Sequence, residues 1–450
     1  MVSLGCAKNL VDSEVMLGIL KDRGFEIVPD EAGADVIIVN TCGFILPAKQ
    51  ESINEVLRLA RLKQGGRLKA LIMTGCLPQR YGEELAKELP EVDAFVGPGE
   101  ITAIARVIRD VLQIYRTGQP GRPAGRRPVL ISEPRFIYSH ETPRIISTPP
   151  YTAYVKIAEG CDNRCSYCVI PSIRGRFRSR PIESIVSECM RLAGNGAREL
   201  ILVAQDTTRY GEDLYGTFKL ASLLREISRI EGVVWVRFLY TYPTHITDEL
   251  IEVVACEPKI CKYFDIPLQH ADDRVLRMMG RRNSREDALA LINRIRTRIP
   301  DVTLRSTFIV GFPGETEDAF DSLLDFLEET KLDRVGVFAY SEEEGTPAEA
   351  LPDKVPEDVK EERFRRAMEL QRRISREKLE ARVGSEEMVL VEGLSEESDL
   401  VVVARSQREA PGIDGLIYIG DATLKAGTFH QARITGASDH DLAAEIISPA

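Results

Sequence analysis

Short apolar runs alternate with longer amphipathic stretches through the first 115 residues of the 450-residue chain. Runs at 2–4, 36–39 and 71–73 predict buried parallel strands, and 13–23, 48–63 and 81–89 predict the helices between and after them. This βαβαβ order is typical of an α/β fold with a doubly wound parallel sheet. We therefore predict an N-terminal domain over 1–115 and a linker over 116–150, in which 118–128 is rich in Gly, Pro and Arg.

Strand and helix signals alternate again in the middle of the chain. Apolar runs predict six strands, at 153–158, 199–204, 233–240, 263–266, 304–310 and 334–339. Helical patterns separate them at 182–193, 219–230, 247–257, 285–298 and 317–330. Six β/α units indicate a partial (β/α)6 barrel rather than a closed barrel of eight. A long charged helix over 357–382 completes this domain, which we place at 151–383.

The pattern changes after residue 384 to short strands at 388–391, 400–404, 416–419 and 428–434, with turn residues between them. Such spacing predicts a small antiparallel β-barrel over 384–450. Residues 385–450 hold twelve Asp or Glu and four Lys or Arg, so they carry −8 of the chain's net charge of −11. A charge of this sign disfavours RNA as a partner, because binding to phosphates selects basic surfaces.

Overall composition, with 44% hydrophobic and 29% charged residues, is typical of a folded soluble protein. The N-terminus has no basic region followed by an apolar run, and no eighteen consecutive apolar residues occur anywhere. We therefore expect a cytoplasmic protein without a signal peptide or a membrane helix. Met1 lies close before Cys6 and shortens the first strand, which leaves an incomplete start open.

Cys161, Cys165 and Cys168 have C-x3-C-x2-C spacing and directly follow the first predicted barrel strand. Three thiolates on a tight loop can each ligate one iron of a 4Fe–4S cluster. With no fourth cysteine nearby, one iron stays open and can bind S-adenosylmethionine (SAM), which yields a radical when it is cleaved by an electron from the cluster. The alternatives are core cysteines or a zinc site, but zinc needs a fourth ligand and no His or Cys follows at a suitable distance.

Cys6, Cys42 and Cys76 are far apart in sequence, yet each comes just after an apolar run. Because the carboxyl ends of parallel strands meet at one edge of a sheet, we expect these three thiols to converge there. Three thiolates again suggest a cluster with an open iron. Cys189, Cys256 and Cys261 lack such a setting, and core packing is the favoured interpretation for all three.

Long motifs in this chain resemble radical-SAM methylthiotransferases over essentially its whole length. They are GCAKNLVDSE at 5–14, EGCDNRCSYCVIPSIRGRFRSRP at 159–181, AQDTTRYG at 204–211, IPLQH at 266–270, STFIVGFPGET at 306–316 and ARSQREAPGIDG at 404–415. They are most similar to the RimO type, the branch of the family that modifies the twelfth protein of the small ribosomal subunit. The resemblance implies an N-terminal methylthiotransferase domain, a radical-SAM barrel and a C-terminal TRAM β-barrel.

The same resemblance implies the chemistry and the partners. It implies two 4Fe–4S clusters, one on each cysteine triplet, and SAM as the source of both the radical and the methyl group. Sulfur and the methyl group are expected on the β-carbon of an aspartate, giving 3-methylthioaspartate, with a low-potential flavodoxin or ferredoxin as electron donor. We expect a monomer. The alternative substrate is a tRNA adenosine, which the acidic tail disfavours because it would repel RNA and attract a basic ribosomal protein.

Several further residues are candidate SAM contacts. Tyr167 resembles the family's aromatic position beside the SAM adenine, although packing of the loop is an equally good role. Gln205 and Asp206 follow a predicted barrel strand, at the end where barrel active sites form. Arg305, Ser306 and Gly311 are weaker candidates.

Other polar residues near these motifs have open roles. Arg174, Arg176, Arg178 and Arg180 recur at every second position. In an extended chain they would face one way, where they could bind a carboxylate or form a solvated basic edge. Gly311, Gly314 and Glu315 are expected to shape a turn by the SAM pocket. His270 is expected to be structural.

Overall fold

Five parallel strands form the N-terminal sheet, in the order β1-β2-β3-β4-β5. The computed structural model describes residues 1–117 and 127–449, so most of the predicted loop at 118–128 lies outside the described residues. The strands are β1 (Val2–Ser3), β2 (Val36–Thr41), β3 (Ala70–Gly75), β4 (Ala94–Val96) and β5 (Val129–Leu130). The helices are α1 (Ala7–Asp22), α2 (Leu46–Ala60), α3 (Cys76–Glu88) and α4 (Ile104–Thr117), with 3-10 turns at Arg61–Gly65 and Pro98–Ala103.

Helices cover both faces of this sheet, which confirms the doubly wound prediction. Alternate residues of β3 face opposite sides: Leu71 and Met73 pack with α2 and α3, whereas Ala70 and Ile72 pack with α1 and α4. Sequence analysis does not predict β4 and β5, which have only three and two residues. Strand β5 lies within the residues assigned to the linker.

The middle of the chain forms six parallel β/α units. Two three-stranded sheets are joined by a parallel bridge between Val236 and Ile260. The six parallel strands are β6 (Thr152–Lys156), β9 (Glu199–Val203), β10 (Trp235–Phe238), β11 (Tyr263–Asp265), β12 (Thr303–Val310) and β13 (Arg334–Ala339). Two short strands, β7 (Ala158–Glu159) and β8 (Arg178–Ser179), form a separate antiparallel pair. The helices are α5 (Ile170–Arg174), α6 (Ile182–Gly194), α7 (Glu212–Tyr215), α8 (Leu220–Ser228), α9 (Asp248–Cys256), α10 (Asp273–Met278), α11 (Arg285–Arg298) and α12 (Glu317–Thr330), with 3-10 turns at Pro243–His245 and Pro347–Ala350. The predicted partial barrel is thereby confirmed.

A long helix leads from the barrel to a small closed β-barrel at the C-terminus. The helix is α13 (Glu357–Glu380), and the strands are β14 (Glu386–Ser395), β15 (Ser398–Arg405), β16 (Ile417–Ile419), β17 (Phe429–Ala437) and β18 (Leu442–Pro449). Four of the five strand pairings are antiparallel, and the barrel closes through one parallel pair, β16 with β18. Strand β18 is absent from the sequence prediction.

Residues 404–415 of this domain close one end of the larger barrel, and we call them the floor segment. They meet the amino ends of the barrel strands, where Arg405 pairs with Glu199 over 2.7 Å and Tyr263 donates to Asp414 over 2.7 Å. Ala410 packs among the side chains that point into the barrel. The opposite end of the barrel, at the carboxyl ends of the strands, faces the N-terminal sheet. No helix in the described ranges is both long and apolar enough to cross a lipid bilayer.

Candidate active site

The barrel triplet, Cys161, Cys165 and Cys168, lies on the loop between β7 and α5, and all three side chains are partly buried. The loop is fastened across the barrel mouth by Ser166, whose N–H donates to the Met279 carbonyl over 2.9 Å. Gly280 has a φ of +70°, and a Cβ there would lie 2.6 Å from the carbonyl oxygen of the loop residue Arg164. The loop therefore fits only against a residue without a side chain.

Asp206 is buried and holds this loop rather than facing an open cavity. Its carboxylate accepts hydrogen bonds from Asn163 over 2.9 Å, from His245 over 3.0 Å and from Thr208 over 2.7 Å. Burial tends to raise the pKa of Asp206, but the hydrogen bonds from His245, Thr208 and Asn163 and the charge of His245 together lower it. The carboxylate therefore stays charged and fixes Asn163, which stands between two of the cysteines.

Several buried polar atoms near the triplet have no hydrogen-bond partner among the described residues, and they include the Oε1 of Gln205 and the Nε of Arg281. Gln205 donates through its amide nitrogen to Glu159 over 2.9 Å. Arg281 stacks on the Tyr242 ring at 4.1 Å and points a nitrogen at the Cys165 Sγ over 3.9 Å. Such unsatisfied groups indicate room for a polar ligand. Sequence reasoning missed Arg281, because the pair Arg281–Arg282 carries no distinctive pattern.

Tyr167 lies partly buried against a small core that includes Phe312, Tyr340 and Ala348. This core is at the same mouth of the barrel, since the Ala348 N–H donates to the carbonyl of the loop residue Ser166 over 2.9 Å. The Tyr167 side chain therefore packs the cysteine loop against this core. In sequence it lies between Cys165 and Cys168.

The three weaker candidates are bonded within the barrel wall. Ser306 donates to the Ile266 carbonyl over 2.8 Å, and Arg305 pairs with Asp265 over 2.7 Å. Gly311 has a φ of +72°, and a Cβ there would lie 2.3 Å from the Lys360 side chain. These contacts support the barrel wall and its junction with α13.

The turn after β12 is shaped by Glu315, as predicted for this motif. Its carboxylate accepts the Gly311 N–H over 2.8 Å and pairs with Arg363 over 2.9 Å. His270 is buried with its Nε2 3.4 Å from the same carboxylate. This setting is that of a structural histidine.

The second triplet converges at the carboxyl edge of the N-terminal sheet. Cys6 caps α1, Cys42 follows β2 and Cys76 begins α3. A Cβ at Gly5 would lie 2.9 Å from the Cys42 Cβ, so the first two cysteines meet closely. A Cβ at Gly43 would lie 2.9 Å from the carbonyl carbon of Cys76, which brings in the third. Cys6 is exposed, Cys42 is partly buried and Cys76 is buried, so the site is open on one side.

A buried network of charges joins the two triplets. Arg174, from the end of α5, donates to the Cys76 Sγ over 3.3 Å and pairs with Asp12 of α1 over 2.6 Å. Lys156 at the end of β6 also pairs with Asp12, and it pairs with Glu159 over 2.5 Å. Burial alone would raise the pKa of Glu159, but the Lys156 and Arg174 cations lower it to about 2. The network therefore stays ionised and locks the barrel mouth to the N-terminal sheet.

The four alternating arginines do not share a face. Arg174 ends a helix and is buried in the network, whereas the Arg176 side chain is 86% exposed. Arg178 donates to backbone carbonyls, including that of Arg176 over 2.6 Å. Arg180 is buried and pairs with Glu188 over 2.6 Å. The shared face was expected for an extended chain, but Arg174 is the last residue of helix α5, so the first arginine is not in an extended segment with the others.

The remaining cysteines are divided. Cys189 and Cys261 are buried in the core, as predicted. Cys256 is exposed, so the core prediction is wrong for it: it ends α9 on the solvent side, with its Sγ 3.1 Å from Glu252.

Both triplets fit iron–sulfur clusters better than a mononuclear metal. In the described part of the chain no three His, Cys, Asp or Glu side chains are grouped so that they could hold a metal ion. A cluster instead takes one thiolate at each of several irons, so its ligands stand apart around it. Burial raises the pKa of Cys161 to about 12 and that of Cys42 to about 11, so these thiols need a bound cation to ionise.

Three known family models match successive parts of the chain. The uncharacterized protein family UPF0004 matches residues 1–97, the radical SAM superfamily matches 155–327 and the TRAM domain matches 383–447.

Full-length relatives carry the name ribosomal protein uS12 methylthiotransferase RimO. The one from Geobacter sulfurreducens is 53% identical over 448 residues, covering 100% of this chain and 98% of the relative. Those from Desulforamulus reducens and Pelotomaculum thermopropionicum are 50% and 52% identical, each covering 99% of this chain and 98% of the relative.

Solved radical-SAM enzymes share the fold. The methyltransferase TsrM from Kitasatospora setae, solved with cobalamin and a 4Fe–4S cluster, superposes with a TM-score of 0.55 at 17% identity, covering 76% of this chain and 74% of that one. The cobalamin-dependent enzyme OxsB, solved with SAM, has a TM-score of 0.51 at 13% identity, covering 82% and 55%.

Proposed function

The chain belongs to the RimO family of uS12 methylthiotransferases, and from that premise we propose that it attaches a methylthio group to the β-carbon of an aspartate in ribosomal protein uS12. The observation that carries this proposal is the pair of cysteine triplets facing each other across one buried network, with Arg174 touching Cys76. Radical formation and sulfur transfer at one carbon require two such centres next to each other.

The cofactors are two 4Fe–4S clusters and SAM. Cys161, Cys165 and Cys168 would hold one cluster, and Cys6, Cys42 and Cys76 the other. When bound, these groups supply the hydrogen-abstracting radical, the sulfur and the methyl group.

The residues around the barrel triplet divide into contacts and supports. Tyr167, Gln205 and Arg281 are the proposed SAM contacts, because Gln205 and Arg281 offer unsatisfied polar atoms and Tyr167 offers an aromatic face. Asp206 has a different role, since all its bonds are internal: it holds the cluster loop through Asn163.

Arg305, Ser306 and Gly311 shape the barrel wall in this proposal. Their hydrogen bonds run to neighbouring strands and to Glu315, so they support the form of the cavity.

The acidic C-terminal barrel favours a basic ribosomal protein over tRNA as substrate, because it would repel phosphates. We propose further that the enzyme is a cytoplasmic monomer that takes electrons from a low-potential flavodoxin or ferredoxin.

The decisive experiment incubates reconstituted enzyme with uS12, with bulk tRNA, SAM and a reductant, followed by mass spectrometry of both substrates. We expect a methylthio group on one uS12 aspartate and none on tRNA. Modified tRNA with unmodified uS12 would refute the proposal.

Cysteine variants test the assignment of the two sites. Replacing Cys161, Cys165 and Cys168 by Ala should remove about half of the bound iron and abolish SAM cleavage. Replacing Cys6, Cys42 and Cys76 should also remove about half of the iron but leave SAM cleavage and abolish methylthiolation. Cys256→Ser, at an exposed cysteine outside both sites, should leave iron content unchanged.

A further inference from the structure

Lys8 is a buried cation without a carboxylate partner. It lies two residues after Cys6 in α1 and is 9% exposed. The other buried cations Lys156, Arg174, Arg180, Arg237, Arg334, Arg363 and Arg405 all form ion pairs with Asp or Glu. Within the described ranges only Lys8 and Arg281 among the buried Lys and Arg side chains lack one, and Arg281 has the Pro267 carbonyl at 2.6 Å as an acceptor. A buried charge left without a counter-ion is costly, so Lys8 points to an anion that arrives from outside.

Residues of the barrel hold the Lys8 side chain in place. Its Nζ lies 3.3 Å from the centroid of the Tyr240 ring, at the carboxyl end of β10. Tyr240 has a φ of +63°, a conformation that is strained for a side chain of this size. Asp265 holds it there by accepting the Tyr240 N–H over 3.0 Å, and Thr207 donates to its carbonyl. Strain that the surroundings enforce in this way is typical of a binding site.

The proposed substrate has the matching charge. In an aspartate the reacting β-carbon is directly bonded to the carboxylate carbon, so an enzyme that fixes the carboxylate also fixes the reacting atom. A cation beside the N-terminal triplet would place that carbon next to the sulfur-bearing site. Resting on the function proposed above, we propose that Lys8 binds the side-chain carboxylate of the target aspartate.

Nearby acidic groups do not satisfy Lys8. Glu159 is already shared by Lys156 and Arg174. Asp265 is taken by Arg305 and the Tyr240 N–H. The Cys6 thiolate is the other anion that could pair with Lys8. The experiment must therefore distinguish a role of Lys8 at Cys6 from binding of the substrate carboxylate.

A double-mutant cycle tests the proposal by binding rather than by turnover. The affinity of reconstituted enzyme for uS12 is measured by titration with the natural protein and with uS12 whose target aspartate is replaced by Asn. Lys8→Met keeps the length and the contact with the Tyr240 ring. Lys49→Met is the matched control, since Lys49 also lies near a tyrosine, Tyr81 at 5.6 Å, but is paired with Glu343.

We expect wild type and Lys49→Met to bind natural uS12 about 30-fold or more tightly than the Asn form, the factor that truncating one partner of a buried charge pair produces. Lys8→Met should bind both forms within about twofold of each other. Undiminished discrimination by Lys8→Met would overturn the inference. So would a loss of iron, or of the electron paramagnetic resonance signal of the N-terminal cluster, in that variant, because Lys8 would then serve Cys6. Wild type that neither binds nor modifies uS12 would instead overturn the proposed function.

Discussion

The guanidinium of Arg174 lies 3.3 Å from the Cys76 Sγ, so the helix after the barrel triplet touches the last cysteine of the N-terminal triplet. The same side chain pairs with Asp12 of α1, and both residues are buried. One arginine therefore fixes the distance between two sites that lie in different domains. Compared with well-packed apolar residues, a buried charge pair adds little net stability, so its main effect here is to fix the relative position of the two sites.

Arg174→Gln should be strongly destabilising. It leaves Asp12 and Glu159 buried with only Lys156 to neutralise them, and breaking such a buried pair costs about 3–5 kcal/mol. Urea unfolding of the cluster-free protein measures this change. Arg176→Gln is the control: its side chain is 86% exposed, and we expect a change within about 0.5 kcal/mol. Equal effects of the two substitutions would contradict the network.

Gly280→Ala should weaken the cluster site in the barrel. The added Cβ meets the Arg164 carbonyl oxygen at 2.6 Å and pushes the cysteine loop outwards. Gly216→Ala is the matched control, because Gly216 has a nearly equal φ of +72° and no atom within 4 Å of the added Cβ. Iron and sulfide content, measured in protein that also lacks Cys6, Cys42 and Cys76, should fall only for Gly280→Ala. A loss in both would show that backbone strain alone is responsible.

Glu409→Gln should weaken the dependence of the free energy of unfolding on pH in the acidic range. Burial tends to raise the pKa of Glu409, but Arg382 and Arg334 lower it to about 2, below the 4.5 of a free glutamate. The unfolded chain therefore binds this proton first as pH falls, and about 3 kcal/mol of stability present above pH 4.5 is lost between about 4.5 and 2. Unfolding between pH 7 and 2 should show wild type and variant converging as pH falls. Parallel curves would contradict the assigned cause.

Arg405→Met should loosen the junction between the barrel and the acidic domain. Arg405 is fully buried and pairs with Glu199 and Glu392, and its removal should cost about 3 kcal/mol or more. Arg433→Met, at an exposed arginine of the same small barrel, should cost less than about 1 kcal/mol. Thermal unfolding of the two variants measures the difference, and a large effect of Arg433→Met would be the contrary result.

The barrel was predictable because its strands coincide with apolar runs that are separated by helical patterns. All six predicted strands correspond to observed ones, with ends that differ by at most two residues. The barrel triplet was predictable from the spacing of its three cysteines on one loop. The convergence of the N-terminal triplet was predictable because each of its cysteines follows an apolar run, and parallel topology brings the ends of those strands together.

The buried polar face of α1 was not predictable from hydrophobic periodicity. The pattern places this helix at 13–23, yet it begins at Ala7. Lys8, Asn9 and Asp12 read as solvent-facing in sequence but are buried against the barrel. Arg174 and Lys156, which bond to Asp12, lie more than 140 positions away from it, and only the folded chain brings them together. Lys8, a candidate residue that sequence reasoning missed, belongs to this face, whereas the other missed residue, Arg281, follows α10 at the barrel mouth.

The floor segment has a consequence for how a protein substrate must reach the reaction centre. It seats the acidic domain at the amino ends of the barrel strands, with Arg405 on Glu199, whereas both triplets lie at the carboxyl ends. A barrel strand of five or six residues spans roughly 17–20 Å, so about this distance separates the acidic domain from the cysteine triplets. The acidic surface therefore does not line the pocket in which the reaction occurs. A protein substrate that binds the acidic domain has to extend along the outside of the barrel. It must then present its aspartate on a projecting loop at the carboxyl ends of the barrel strands.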